Sequence, residues 1–148
     1  MDDPYDLGRF VRAQEDDYRQ ALSEIRRGRK RTHWMWYVFP QVEGLGSSPA
    51  SREYSIKSLE EARAYLDHPV LGPRLLECAQ GVLGVEGRSA TEIFGFPDDL
   101  KLRSSVTLFR CVSPPGSVFE RVLEKYFGGE PDAATLRLLK IKPKKRAP

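Results

Sequence analysis

Cysteine and histidine are scarce in this chain: two of each among 148 residues. Cys78 and Cys111 stand alone, without CxxC spacing, and read as reduced thiols rather than a disulfide framework. So few ligating side chains, so scattered, do not suit a structural zinc site, and no metal is expected. Long apolar runs are missing too. None approaches the roughly 20 residues of a membrane span. The first residues, MDDPYDLGRF, are acidic and carry no apolar stretch of the signal-peptide kind. The expectation is a cytoplasmic protein with no membrane partner. Catalytic signatures are absent as well: there is no GxSxG, P-loop, HExxH or GxGxxG. Gly44 and Gly46 lack both a preceding strand and a third glycine. No internal repeat and no convincing alternation of period two is present.

What remains is an ordinary globular composition, 40% hydrophobic and 30% charged, at a length that fits one domain. The net charge of +3 conceals an asymmetry. One basic cluster comprises Arg26, Arg27, Arg29, Lys30 and Arg31; a second comprises Lys140, Lys142, Lys144, Lys145 and Arg146. Without these ten, 14 cations face 21 acids, so the body of the protein is acidic and the positive charge sits in a patch and a tail.

Apolar spacing predicts helices. Leu7, Phe10, Val11, Gln14, Tyr18, Ala21, Leu22 and Ile25 form one helical face, read as a single helix of about five turns ending at Gly28. Ser58-Leu59-Glu60-Glu61 and Ser89-Ala90-Thr91-Glu92 have the form of capping boxes. They open helices running to Asp67 and to Gly95, and a further helix lies between, from Val70 to near Gly84. Asp98 and Asp99 start another that carries Leu102, Val106, Phe109 and Val112. Ser117 caps a helix ending at Gly128, and Asp132 caps a last short one. The expectation is an all-α single compact domain over 1–139 with about seven helices, room for one short hairpin near 34–56, and a disordered basic tail over 140–148.

Two stretches exceed what packing requires. RKRTHWMWYVFPQ, residues 29–41, holds both tryptophans beside three cations and His33. Six consecutive apolar or aromatic side chains from Trp34 to Phe39 cannot all face one way. Either the segment is buried on both sides, or its aromatic faces line a cavity rimmed by charge, where they can stack on bases while cations pair with phosphate. In FPDDLKLRSS, the acids suit a helix N-terminus. Lys101, Ser104 and Ser105 share one helix face, where they bind a phosphate or a sugar or are simply solvated.

The runs GRKRTHWMWYVFPQVEGLG, SREYSIKSLEEARAYLDHPVLGPRL and IFGFPDDLKLRSSVTLF closely resemble a bacterial family catalogued as domain of unknown function 1810, which has a mycobacterial member. The resemblance spans Phe10 to Leu139 and implies an all-α fold. Some members carry the label calpastatin, which a folded chain without repeats does not support. A looser similarity links Tyr54-Ser55-Ile56, His68-Pro69-Val70-Leu71 and Ile93-Phe94-Gly95 to the NADAR domains, associated with NAD and ADP-ribose metabolism. The glutamate–histidine pair of those domains is replaced here by Arg52-Glu53-Tyr54.

The resulting functional expectation is a pocket for a nucleotide or ADP-ribose-like small molecule, a hydrolase of such a ligand being its enzymatic form. Trp34 and Trp36 would stack the base. Arg31 and Lys101 would hold phosphate, and Gln41, Tyr54, Ser104 and Ser105 complete the binding set. His33 or Asp99 would transfer protons. No cofactor is expected. The competing readings are a nucleic-acid-binding module, suggested by the basic patch and tail, and a regulatory or protein-interaction module without chemistry.

Overall fold

A computed structural model describes residues 2–141, and the part of the expected tail over 142–148 lies outside the described residues. Among the described residues the fold is all-helical and forms one domain. Its elements are α1 (Gly8–Gln14), α2 (Tyr18–Arg26), α3 (Met35–Val38), α4 (Pro49–Glu53), α5 (Leu59–Asp67), α6 (Leu71–Leu83), α7 (Ala90–Phe94), α8 (Asp98–Arg110), α9 (Val118–Phe127) and α10 (Ala133–Leu138). Helix α6 packs against α2, α5 and α9, while α8 packs against α5, α7, α9 and α10. Their inward stripes, with Leu75, Cys78, Ala79 and Val82 on α6 and Leu102, Val106 and Phe109 on α8, are fully or almost fully buried.

The expected caps form. Ser58, Ser89, Ser117 and Asp132 each accept the amide hydrogen of the residue three positions on; at Ser89 the residue's own amide donates back to the Glu92 carboxylate and completes the capping box, whereas Glu61 accepts the Lys57 amide in place of that of Ser58. His68 ends α5, and its Nδ1 accepts the amides of Val70 and Leu71 at 3.1 and 3.2 Å, capping the start of α6. This elbow is tight. A Cβ on Gly72 would lie 2.0 Å from the Leu66 carbonyl oxygen, so the backbones of α5 and α6 meet there. Gly72→Ala is expected to destabilise by about 1–3 kcal/mol, the cost of forced overpacking, read as a lower midpoint in urea.

Three departures from the expected pattern stand out. The long first helix is two helices, broken between Gln14 and Tyr18. Gln14 turns inward there and donates to the Tyr37 carbonyl at 2.7 Å and to the Tyr65 hydroxyl at 3.0 Å, while Asp17 accepts the Tyr37 hydroxyl. Segment 34–39 forms the single turn α3, and residues 49–53 form α4, with Ser48 as cap and Pro49 in the first position. In place of a hairpin there is one parallel bridge, Val42 with Ile56. The helical turn of α4 brings the chain round so that residues 41–43 and 55–57 run the same way.

Cys78 and Cys111 are free. Burial pushes the Cys78 thiol up to about 12, so it behaves as an inert core group.

Candidate functional site

Glu24 organises the opening half of the aromatic segment. It lies on α2 and is 3% exposed. Gly28, at φ +73°, ends the helix, and the chain folds back over the Glu24 carboxylate. Oε1 accepts the amides of Arg31 and Thr32 at 2.7 and 3.0 Å and the Trp34 indole N–H at 2.9 Å. Oε2 accepts the Thr32 hydroxyl at 2.6 Å and the Gln20 side-chain amide at 2.8 Å. Burial raises the carboxyl's pKa. The hydroxyl of Thr32, the amides of Arg31 and Thr32 and the indole of Trp34 outweigh it and bring the carboxyl down to about 2. Trp34 is therefore pinned by its one donor and 1% exposed, with Phe39 and Phe94 against its ring.

The same fold-back sets the direction of the basic run. The Lys30 amide donates to the Ile93 carbonyl at 2.7 Å, which ties this stretch to α7. Arg29 and Arg31 are exposed, whereas the Lys30 side chain turns inward and is 7% exposed. Its ammonium donates to the Thr32 carbonyl at 2.6 Å and pairs with Asp98 at 2.8 Å. Lys101, one turn along α8, reaches the other oxygen of Asp98 at 3.0 Å and lies 4.2 Å from the centroid of the Trp36 ring. Burial raises the Asp98 carboxyl, but the two ammonium groups prevail and hold it below the usual carboxylate range. Two lysines thus share one carboxylate between two tryptophan faces, since Lys30 also lies 5.0 Å from the Trp34 ring. Gly46 lies at the rim of Trp36: a Cβ there would stand 3.5 Å from the edge of the indole.

Of the residues expected from sequence, Trp34, Trp36 and Lys101 gather here through Lys30 and Asp98, which in the sequence pattern are part of a basic cluster and a dipole-matching acid. The i, i+3 spacing of Asp98 and Lys101 was the available signal. Arg31 and His33 have exposed side chains on the connecting loop. The Asp99 carboxylate is 7% exposed and engaged, accepting the Thr91 hydroxyl at 2.6 Å and the Leu100 amide at 2.9 Å. The Ser104 hydroxyl donates to the carbonyl of Leu100 in its own helix. Ser105 Oγ and Gln41 Nε2 are buried without a hydrogen-bond partner among the described residues. Tyr54 packs against Phe10 and Tyr37 rather than joining the lysines. A cavity of about 570 Å³ opens at Arg9, Arg12, Arg52 and Lys57, and none of the residues expected from sequence lines it.

A family described as "Protein of unknown function (DUF1810)" matches residues 4–139. The chain belongs to the DUF1810 family. The crystal structure of the conserved hypothetical protein Rv1873 from Mycobacterium tuberculosis is similar to this DUF1810 chain at 56% identity. The match covers 95% of this chain and 100% of that one, with a TM-score of 0.92. No curated protein matches. The resemblance to the DUF1810 family and its all-α fold are borne out. The NADAR similarity finds no support in these matches. Among the described residues of this DUF1810 chain, no helix is long and apolar enough to cross a membrane, and no group of three or more His, Cys, Asp or Glu is placed to hold a metal ion.

Proposed function

We propose that the protein binds a small anionic ligand with a planar ring system, of the nucleotide or ADP-ribose class, against Trp36 beside Lys101. The Lys101 ammonium carries this reading. It stands over the Trp36 ring at 4.2 Å, and its side chain is 23% exposed. Asp98 accepts from it on one side, which leaves N–H donors for a phosphate oxygen. A base stacked on the Trp36 face opposite the Lys101 ammonium would gain about 1–3 kcal/mol. Lys30 offsets the charge of Asp98, so the cluster keeps one positive charge in excess. Trp34 contributes the wall behind Lys30 rather than a stacking face. With the Asp99 carboxylate already engaged by Thr91 and Leu100, the arrangement favours binding over hydrolysis.

Titrating ADP-ribose and AMP while following tryptophan fluorescence tests this. Saturable quenching is expected, weakened about tenfold or more in Lys101→Ala by loss of a charge-assisted bond. The quench should disappear in Trp36→Phe. Both variants should keep the wild-type melting temperature to within a few degrees, because Lys30 still holds Asp98. Chromatography of the incubated ligand reads turnover in the same samples. Failure of both ligands to bind rejects the proposal. A second reading, a protein-interaction module, rests on Phe96 and Leu100, which are 76% and 47% exposed beside the same helix start. In that case Phe96→Ser would abolish partner capture.

A further inference from the structure

The cavity of about 570 Å³ at the N-terminal end of the fold is separate from the lysine–tryptophan cluster and shares no lining residue with it. Arg9 and Glu61 are bound to each other there, at 2.9 Å and with side chains 11% and 3% exposed. Every N–H of the Arg9 guanidinium is taken, by Glu61, by the carbonyls of Tyr5 and Asp6, and by those of Glu53 and Ser55. That pair is rigid, neutral and has no donor left over. The cations available to a ligand are Arg12, Arg52 and Lys57, all exposed. Arg52 and Lys57 have no carboxylate within ion-pair distance among the described residues. Arg12 has Asp6 at 3.7 Å, with both side chains about 70% exposed, so that pair is loose and screened. Four cations line the cavity against three carboxylates, on a protein whose body is otherwise acidic.

From this we infer that the cavity is a second ligand site, for a small phosphate-bearing molecule carrying at least two negative charges. The volume suits a small molecule. A lining this charged disfavours an apolar one. Two arginines and a lysine around one opening match the several oxygens of a phosphate, which guanidinium groups bind in bidentate fashion. The fixed Arg9–Glu61 pair holds the N-terminal loop and the turn after α4 in place, so the cavity exists before a ligand arrives.

Pyrophosphate is the probe. Adding it to the isotope-labelled full chain should give saturable amide shifts at Arg12, Arg52, Lys57 and Ser58. In the double variant Arg52→Gln, Lys57→Gln, the affinity should fall about tenfold or more, since two charge-assisted contacts are removed. Neither side chain has an ion-pair partner among the described residues, so this variant should unfold at the wild-type urea concentration. The same shifts should persist in Lys101→Ala, which separates this site from the one proposed above. Succinate, a dianion that meets the minimum charge of the inferred ligand but lacks phosphate oxygens, should bind more weakly. Equal binding of succinate, shifts confined to Arg26–Arg31, or unchanged affinity in the double variant would each overturn the inference.

Discussion

Glu24→Gln is expected to cost about 2–4 kcal/mol at neutral pH, although it changes one atom of a side chain on a surface-type amphipathic helix. The carboxylate accepts five hydrogen bonds, from Gln20, Arg31, Thr32 (amide and hydroxyl) and Trp34, with no cation within ion-pair distance among the described residues. An amide in its place turns one acceptor into a donor. It then faces either the backbone amides of the loop or the Thr32 hydroxyl and Gln20, and at least one buried donor goes unpaired. Chemical denaturation reads the loss. Wild type and variant should also differ in their response to acid. The folded-state pKa of about 2 lies below the ordinary 4.5, so on acidification the unfolded chain takes up the proton first. Stabilisation from Glu24 is complete above about pH 4.5 and is lost as the pH falls through about 2. The shift corresponds to about 3 kcal/mol. Across that window the wild-type stability should fall more steeply than that of Glu24→Gln. A parallel decline of the two curves would remove the role assigned to this carboxylate. Trp34 fluorescence reports the same event locally, because its indole N–H is one of the five donors.

What was legible in the sequence was local. Ser58, Ser89, Ser117 and Asp132 announce helix starts because each cap bonds an amide only three residues away, and Gly28, Gly95 and Gly128 announce ends because each takes a positive φ. The break between α1 and α2 was not legible. It depends on Gln14 reaching Tyr37 and Tyr65, and an apolar stripe that continues through Tyr18 gives no hint of it. The aromatic run was ambiguous for a related reason. Whether Trp34 is wall or binding face turns on where its indole N–H goes, and the partner, Glu24, looks in sequence like any solvated glutamate. Its neighbours Ala21 and Ile25 on the buried side of the helix were the one signal that it faces inward. The polar–aromatic character of Trp36 and Lys101 could be read directly, but the second lysine and the carboxylate that join them come, respectively, from the loop after α2 and the first residue of α8. Their meeting is set by the Lys30 amide bonding to Ile93, a contact no periodicity encodes.

Arg9→Met should be among the most damaging single changes in the molecule, at about 3–5 kcal/mol, because it strands a buried charge. The guanidinium ties three separate pieces together: the N-terminal loop through Tyr5 and Asp6, the end of α4 and the turn after it through Glu53 and Ser55, and α5 through Glu61. Among the described residues, removing it leaves Glu61, 3% exposed, with only the Lys57 amide at 3.2 Å for compensation. Arg9→Lys should recover little, since a single ammonium has three donors and no planar fork to serve five acceptors in three directions. The informative variant is the double one, Arg9→Met with Glu61→Gln. If the damage in Arg9→Met comes from an uncompensated carboxylate, the second change relieves it, and the double variant is more stable than Arg9→Met alone. If the damage comes from the four carbonyls that lose their donor, the second change adds to the loss. Urea midpoints for the four proteins of this cycle decide between the two, and the coupling they yield measures how far the ion pair, as distinct from the carbonyl clamp, holds the N-terminal segment on the fold.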